Sequence, residues 1–216
     1  MRVDYAKGTL HRADLPENPV ALLEAWLALA SACSAVEEPN AMSLATASAD
    51  ARPSVRTVLC KGISEGGLEF FTNYTSRKAA DLRANPFAAA VFHWQPLQKQ
   101  VCVRGRVEKL PRESAESYFR SRPYSSQIGA IASDQSAPLS SREVLEDRAA
   151  HFRAKYPEPD GSPDRGGVPL PEFWGGYRLI PDEWEFWQGR ASRLHDRLLY
   201  SRPVADAPFT IQRLNP

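Results

Sequence analysis

The spacing of apolar residues changes from a helical period to a two-residue period at Ala41, and this change most constrains the fold. Three segments with alternating side-chain character follow, at 41–48, 52–61 and 68–72. A two-residue period places successive side chains on opposite faces of a sheet. The connections between the segments contain Asp, Ser and Gly, which favour tight turns. We therefore expect three antiparallel strands.

Further strands are predicted along the rest of the chain: 87–94, 100–110, 183–187, 194–200 and 209–215. The first of these is almost entirely apolar, so we expect both of its faces to be buried. Turn residues at 188–192 join two of the others into a hairpin. The pattern predicts a mainly β fold with flanking helices (α+β), in which about six antiparallel strands in two groups form a small closed or split barrel.

Helical spacing and capping residues predict the helices around these strands. The first begins at Asn18-Pro19, an N-cap followed by proline at the first helical position, and it extends to about Val36. Three more are predicted from their caps and stop signals: Ser76 to Asn85-Pro86, Pro111 to Arg122, and a capping box of Ser140 and Glu143 leading to about Lys155.

We expect a single domain over residues 1–216, because the chain has no internal repeat and a length typical of one domain. Residues 1–17 are polar and are expected to be a flexible segment with cations that could close over an anion, although a disordered tail is the alternative. Residues 157–169 are rich in Pro, Gly and Asp, which predicts a connector loop.

The composition excludes several classes of protein. The formal net charge is +1, so bulk electrostatics give no reason to expect nucleic acid as a partner. The three cysteines form no paired motif and the four histidines lack ligand spacing, so neither a disulfide framework nor a metal site is expected. No apolar run is long enough for a membrane span, and the N-terminus lacks the apolar core of a signal peptide. We expect a soluble, cytoplasmic protein.

The first candidate anion site is the start of the second predicted helix. Arg77 and Lys78 follow the N-cap Ser76, and cations there oppose the helix dipole. An anion held by the free N–H groups of the helix start would compensate for them. Arg56 and Lys61, five residues apart in a strand, could both join this site if the strand bends at Gly62. A solvated charged helix start is the alternative, since no phosphate-loop glycine motif is present.

The second candidate anion site is formed by Tyr118, Arg122 and Ser126, whose hydroxyl and guanidinium groups are predicted to converge near a helix end. A plain capping role for the serine is the alternative. Two anion sites indicate either two phosphorylated ligands or one ligand with two phosphates.

The predicted hairpin brings aromatic and basic side chains together. Trp187 lies close in sequence to Arg193, His195 and Arg197, a combination that suits a flat anionic ligand. His195 and Asp196 are adjacent, so in a strand their side chains point to opposite faces and cannot form a dyad directly. Because no pattern for a protein nucleophile or a metal is present, an organic cofactor is the natural carrier of any difficult chemistry.

Several motifs, in order along the chain, resemble those of the pyridoxamine 5′-phosphate oxidase family: RTVLCK at 56–61, FFTNYTSRK at 70–78, YFRSRPYSSQIGA at 118–130, SDQS at 133–136, and FWGGYRL with EFWQGRASRLHDR within 173–197. The resemblance runs from about Arg2 to Pro216. It implies an antiparallel Greek-key split β-barrel of the FMN-binding type. It also implies a homodimer with FMN at the subunit interface.

The activity implied by the resemblance is oxidation of pyridoxamine 5′-phosphate and pyridoxine 5′-phosphate to pyridoxal 5′-phosphate, in vitamin B6 biosynthesis and salvage. A hydride would pass from the substrate C4′ carbon to flavin N5, and O2 would then be reduced to hydrogen peroxide. A fixed cation such as Arg197 would stabilise the charge of the reduced flavin. Arg193 and His195 would orient the substrate and assist its deprotonation.

The resemblance also assigns individual residues. The expected FMN contacts are Arg56, Thr57, Val58, Leu59, Cys60, Lys61, Phe71, Thr72, Ser76, Arg77, Lys78, Gln100, Gln135, Ser136, Trp187 and Arg197. The expected substrate contacts are Arg2, Tyr5, Lys61, Tyr118, Arg122, Ser126, Arg193, Leu194 and His195. The expected catalytic group is Arg193, His195 and Arg197. Cys60 stands where the family commonly has Leu, and Phe71 where Tyr is frequent; Trp174 and Trp184 are expected to pack in the core.

Two other functions stay open. The barrel could bind flavin or pyridoxal phosphate as a non-catalytic carrier or sensor, although a carrier would not need cations at a reacting carbon. It could also be another flavin enzyme, such as a reductase that uses a nicotinamide donor, although no dinucleotide fingerprint is present.

Overall fold

Nine antiparallel strands form one sheet in the computed structural model, which describes residues 5–158, 167–204 and 206–216. The strands are β1 Ala41–Ala47, β2 Pro53–Leu59, β3 Gly62–Ser64, β4 Gly67–Asn73, β5 Phe87–Trp94, β6 Lys99–Lys109, β7 Trp174–Gln188, β8 Asp196–Ser201 and β9 Thr210–Arg213. The α-helices are α1 Pro19–Ala32, α2 Arg77–Ala84, α3 Arg112–Ser121, α4 Tyr124–Ala132 and α5 Arg142–Lys155. Arg2 and most of the predicted connector at 157–169 lie outside the described residues.

Strand β7 pairs with three other strands and organises the sheet. Its first half pairs with β4, where Phe71 lies opposite Gly176. Its second half pairs with β8, where Trp187 lies opposite Arg197. Its other edge pairs with β6 along most of its length. The resulting order is β2-β1-β5-β6-β7-β4-β3, with β8 and β9 added beside the second half of β7. This is an antiparallel half-barrel with flanking helices, which confirms the predicted fold class.

Alternate strand residues fill one apolar core beneath α1. Leu44, Phe92 and Trp184 have no exposed surface, so the expectation that Trp184 packs in the core is confirmed. Helix α1 contributes Trp26, whose ring meets Phe186 edge-on at 5.3 Å between centroids. Each such side chain stabilises the fold by about 1.5–3 kcal/mol through burial.

The expectation that both faces of β5 are buried is wrong. Its burial alternates: Ala90 and Phe92 are buried, whereas Phe87 is 51% exposed and His93 lies at the surface. The strand reads as apolar on both faces because it contains several alanines. Alanine is small enough to lie at a surface at little cost, so composition alone does not show how many faces are covered.

Two predicted helix starts are found where expected. Asn18 Oδ1 accepts a hydrogen bond from Val20 N at 3.0 Å at the start of α1, and Ser76 occupies the N-cap position of α2, although its side chain makes no capping hydrogen bond. Helix α1 ends at Ala32, earlier than predicted, because Cys33 has extended backbone angles. None of the helices in the described part of the chain is both long and apolar enough to cross a bilayer.

Two helical predictions need correction. Helix α4, which begins directly after Pro123, was not predicted; proline before a helix start is compatible with its fixed φ angle. Helix α5 begins after Ser141, so the capping box predicted from Ser140 and Glu143 is wrong by one residue. Strand β3 was also missed, because a strand of three residues shows no usable alternation.

Gly105 lies at a bulge between β6 and β7, and its replacement should destabilise the fold. The register shifts between Arg104 and Gly105, and a Cβ atom on Gly105 would overlap the backbone carbonyl of Ile180. We expect Gly105→Ala to lower the free energy of unfolding by about 2 kcal/mol or more, because two paired backbones must separate.

Gly129→Ala is the matched control, since Gly129 lies on α4 and a Cβ there would meet nothing within 4 Å. Alanine in a helix should leave stability unchanged or raise it slightly. Urea denaturation measures both variants, and equal midpoints for the two would contradict the role of Gly105.

Candidate active site

A cavity of about 660 Å³ opens between β2, β4 and the helices α3 and α4. It brings both predicted anion sites into one space, so they are not two separate pockets. The predicted ligand contacts that line it are Arg56, Thr57, Val58, Leu59, Lys61, Phe71, Thr72, Lys78, Tyr118, Arg122, Ser126 and Gln135.

A break between β2 and β3 allows Arg56 and Lys61 to line the same cavity. Cys60 N donates to the carbonyl of Asn40 at 2.8 Å, beside β1, whereas Lys61 N donates to the carbonyl of Glu69 at 2.8 Å, beside β4. The chain therefore changes strand partner within two residues. This bend, rather than strand alternation, sets the relative direction of the two side chains.

Lys78 is a buried cation in the first turn of α2. It is only 8% exposed, and its Nζ donates to Thr72 Oγ1 at 3.0 Å and to Gln135 Oε1 at 2.7 Å. Burial, together with the positive charge of Arg56, lowers the pKa of Lys78 from 10.5 to about 8. No carboxylate lies within ion-pair distance of Lys78 among residues 5–158, 167–204 and 206–216. A bound anion would supply the missing negative charge.

Stacked aromatic rings lie beside the second cationic group of the cavity. The Phe71 and Tyr118 rings stack with centroids 4.1 Å apart, and Trp174 stacks on both. The Arg122 guanidinium lies 5.0 Å from the centre of the Trp174 ring. Its Nη1 is buried and has no hydrogen-bond partner within the part of the chain that is described, and burial lowers the pKa of Arg122. An anionic ligand would satisfy this orphaned donor.

Seven predicted FMN contacts do not line the cavity. Gln100, Trp187 and Arg197 belong to the strands β6 to β8, and the other four are Cys60, Ser76, Arg77 and Ser136. The Cys60 thiol is buried in the core, and its main-chain N–H and carbonyl are both hydrogen-bonded to Asn40. Ser76 is buried with its hydroxyl 3.5 Å from Lys78 Nζ. Arg77 is exposed on α2, and Ser136 is exposed with a left-handed backbone, φ 74°.

The hairpin of β7 and β8 holds a second group of predicted contacts around His195. Tyr5 meets the rings of Trp187 and His195 edge-on, at 5.8 and 5.6 Å between centroids. Arg190 N donates to His195 Nδ1 at 3.1 Å, which assigns the proton of the neutral imidazole to Nε2. Burial and the charge of Arg193 lower the pKa of His195, so its neutral form is favoured.

Arg197 is held by a carboxylate on the neighbouring strand. Its Nε and Nη2 donate to the two carboxylate oxygens of Glu185 at 2.7 and 2.9 Å, a bidentate arrangement that fixes the guanidinium plane. Gln100, Trp187 and Arg197 lie side by side across β6, β7 and β8. The strand register therefore brings these three predicted FMN contacts together.

The hairpin group and the cavity group are separate within one chain. None of the described residues Tyr5, Gln100, Trp187, Arg193, His195 and Arg197 lines the cavity. Arg193 is exposed next to Leu194, which is 70% exposed. The hairpin therefore presents its tip to the surroundings and not to the cavity of its own chain.

Comparison with protein families assigns both groups to one family. Residues 28–156 match the family model described as pyridoxamine 5′-phosphate oxidase. The chain belongs to this family. Residues 174–216 match a second model, the pyridoxine 5′-phosphate oxidase C-terminal dimerisation region. This match supports a homodimer. The matched range includes every residue of the hairpin group except Tyr5 and Gln100.

Relatives in this family cover the chain from end to end. The chain is 48% identical to the pyridoxine/pyridoxamine 5′-phosphate oxidase of Burkholderia ambifaria and 49% identical to that of Burkholderia multivorans. Each alignment spans 100% of this chain and 97% of the relative.

Solved structures show the same fold. PhzG from Burkholderia lata 383, in complex with tetrahydrophenazine-1-carboxylic acid, is 32% identical with a TM-score of 0.86, over 96% of this chain and 98% of that chain. A pyridoxamine 5′-phosphate oxidase-related FMN-binding protein from Nostoc punctiforme is 16% identical with a TM-score of 0.67, over 96% of this chain and 99% of that chain. At that identity the second structure shares only the fold.

Sequence patterns missed several residues of the site. Trp174 is buried as predicted, but it also lines the cavity, and its ring contacts the Arg122 guanidinium. Asn73 and Ser133 also line the cavity. Glu185 was not identified as the partner of Arg197, because this pairing depends on the register of β7 and β8. A residue that holds a side chain on a neighbouring strand cannot be recognised from the residues next to it in sequence.

The buried charge of Lys78 should make the stability of the ligand-free protein depend on pH. The pKa of Lys78 is about 8 in the folded protein against 10.5 for an ordinary lysine. Between these two values the unfolded chain holds a proton that the folded chain has released. The free energy of unfolding should therefore rise as the pH rises from about 8 to 10.5, because the cost of burying the charge disappears.

Lys78→Met provides the comparison, since it removes the titrating amine and retains an unbranched side chain. Urea denaturation of both proteins from pH 7 to 10 isolates the contribution of Lys78, as other groups titrate equally in both. A constant difference in unfolding free energy between the two proteins across this range would contradict the assigned pKa.

Proposed function

We propose that this protein is an FMN-dependent oxidase that converts pyridoxamine 5′-phosphate and pyridoxine 5′-phosphate to pyridoxal 5′-phosphate. The observation that carries the proposal is one cavity lined by two cations, Lys78 and Arg122, that have no anionic partner among the residues described. A cofactor phosphate and a substrate phosphate would satisfy one each. The level of identity to curated pyridoxine/pyridoxamine 5′-phosphate oxidases supports the same activity.

The residues around Lys78 suit the phosphate of FMN. Lys78 supplies a buried ammonium, Arg56 supplies a guanidinium, and the start of α2 supplies free backbone N–H groups. Thr72 and Gln135 already contact the ammonium and would help to orient it. The main chain of 57–59 lines the same cavity, and it offers polar groups to the edge of a flavin ring.

The residues around Arg122 suit the phosphate of the substrate. Arg122 presents its unpartnered Nη1, and the hydroxyls of Tyr118 and Ser126 line the same cavity with Lys61. The rings of Trp174 and Phe119 restrict the position of the Arg122 guanidinium, and Phe71 and Tyr118 stack on Trp174. The site is therefore organised before the ligand arrives, which reduces the entropic cost of binding.

FMN, when bound, would accept a hydride from the substrate and pass the electrons to O2 to give hydrogen peroxide. Arg193 and His195 would orient the pyridine ring from the hairpin, with His195 Nε2 as a hydrogen-bond donor. Arg197, whose guanidinium plane is fixed by Glu185, would direct its N–H groups toward the flavin. Tyr5 would cover the site, and Arg2 is proposed to act with it.

The proposal requires a homodimer in which FMN lies at the subunit interface. The cavity lacks the hairpin residues of its own chain, and the hairpin lies within the dimerisation region. The hairpin of a second copy would complete the cavity of the first. We place the enzyme in the cytoplasm in vitamin B6 biosynthesis and salvage, in keeping with its three free cysteines.

A second candidate is oxidation of a reduced phenazine carboxylic acid, which is favoured by the likeness to PhzG. A carboxylate could also pair with Arg122. The lower identity to PhzG, 32% against 48–49% for the oxidases, makes this the less favoured substrate class.

The proposed activity is tested by flavin absorbance under anaerobic conditions. The purified protein, loaded with FMN, should lose its yellow colour on addition of pyridoxine 5′-phosphate and regain it when air is admitted. The same experiment with a dihydrophenazine carboxylic acid tests the second candidate. Bound flavin that stays oxidised with the phosphorylated substrates would overturn the proposed function, and bleaching by the phenazine alone would replace it with the second.

Arg122→Ala should raise KM for pyridoxine 5′-phosphate by about tenfold or more, because it removes a buried charge-assisted contact with the phosphate. Arg120→Ala is the control: Arg120 lies two residues earlier, is exposed, and pairs with Glu116. Steady-state kinetics on both variants measures the effect. Equal KM values for Arg122→Ala and Arg120→Ala would remove Arg122 from the phosphate site.

A further inference from the structure

Asp81 is a buried carboxylate behind the cation-rich part of the cavity. It lies on α2, one helical turn beyond Lys78, and is only 6% exposed. It does not line the cavity itself. Its Oδ2 accepts hydrogen bonds from Thr46 Oγ1 at 2.6 Å and Ser54 Oγ at 2.8 Å. Neither of these residues has a ligand role in the function proposed above.

The two hydroxyls connect Asp81 to Arg56. Arg56 Nη1 donates to Thr46 Oγ1 at 2.7 Å, and Arg56 Nη2 donates to Ser54 Oγ at 2.6 Å. Each hydroxyl has one proton, and Asp81 accepts both protons. The lone pairs of the hydroxyls are then left to face the guanidinium. The Asp81 carboxylate thereby fixes the direction of the two hydrogen bonds that Arg56 donates to the hydroxyls of Thr46 and Ser54.

A direct electrostatic contact reinforces this arrangement. Arg56 Nη2 lies 3.8 Å from Asp81 Oδ2. Burial on its own would raise the pKa of Asp81, but the hydrogen bonds from Thr46 and Ser54 and the charge of Arg56 outweigh burial and lower it. The carboxylate is therefore ionised at neutral pH.

We propose that Asp81 is a positioning residue for the cofactor phosphate, which orients the Arg56 guanidinium through Thr46 and Ser54. The inference rests on the proposed function, in which Arg56 contacts the FMN phosphate. Because Asp81 belongs to the helix that begins with Arg77 and Lys78, it also ties the helix start to strands β1 and β2. The three cations are thereby held in one arrangement before the phosphate binds.

A positioning role for Asp81 and simple electrostatics predict opposite changes in FMN affinity when the Asp81 charge is removed. A carboxylate near a phosphate site should repel the phosphate, so removal of its charge alone would tighten FMN binding. If Asp81 instead positions Arg56, its removal weakens binding, because the guanidinium loses its fixed direction.

The test is the affinity of the ligand-free protein for FMN and for riboflavin, which lacks the phosphate, measured by quenching of flavin fluorescence. We expect Asp81→Asn to weaken FMN binding by about tenfold and to leave riboflavin binding nearly unchanged. Asp50→Asn is the matched control, since Asp50 is exposed and contacts Arg52 and Ser48 at the β1–β2 turn. In an Arg56→Ala background the effect of Asp81→Asn should vanish, which a merely structural role would not produce.

Thr46 and Ser54 test the connection separately, also in case Asp81→Asn fails to fold. Thr46→Val and Ser54→Ala should each weaken FMN binding and spare riboflavin, whereas Thr46→Ser keeps the hydroxyl and should behave as the wild type. Equal losses for FMN and riboflavin, or tighter FMN binding in Asp81→Asn or Thr46→Val, would overturn the proposal. If the wild-type protein does not prefer FMN over riboflavin, the proposed function itself fails, and this outcome is distinct from failure of the Asp81 variants.

Discussion

The hydrogen bonding of β7 is the constraint on which the rest of the structure depends. This strand of 15 residues uses one edge for β6 and divides the other between β4 and β8. Two strands that share an edge must diverge where one replaces the other, so the sheet splits there. The cavity group is attached to the β4 end, and the hairpin group is attached to the β8 end. The separation of the two groups within one chain follows from this divided pairing.

The cations around the cavity and along β7 and β8 are of two kinds, those with a carboxylate partner and those without one. Arg178, Arg190 and Arg197 have carboxylate partners in the fold, so their charges are compensated without a ligand. Lys78 is buried, Arg122 is half-buried with its Nη1 atom fully covered, and neither has a carboxylate partner within the described residues. Burial of an unpaired cation is costly, and a fold retains it where a ligand supplies the opposite charge. This contrast identifies the binding site more sharply than the number of cations does.

Most strands and most helix starts could be predicted from the sequence, because alternation and capping are local signals, but β3 and the first half of β7 were missed. The exposed face of β5 could not be predicted, because an alanine-rich strand has the same composition whether one or both of its faces are buried. Arg56 and Lys61 were expected to meet only if the strand bends, and the bend depends on Asn40 and Glu69, which are remote in sequence. Asp81, Thr46 and Ser54 carry no motif at all. The sequence predicted many of the residues that line the cavity, and the fold was needed to find the residues that hold them in place.

The hydrogen bond from Arg190 N to His195 Nδ1 limits what the imidazole can do. Nδ1 carries the lone pair of the neutral ring and already accepts a hydrogen bond from the main-chain N–H of Arg190. Nε2 carries the proton. To remove a proton from a substrate at Nε2, the ring would need the opposite tautomer, and two N–H groups would then face each other at position 190. His195 is thus committed to give a hydrogen bond and not to take a proton. Any base in the proposed oxidation would then be the substrate, water or another side chain.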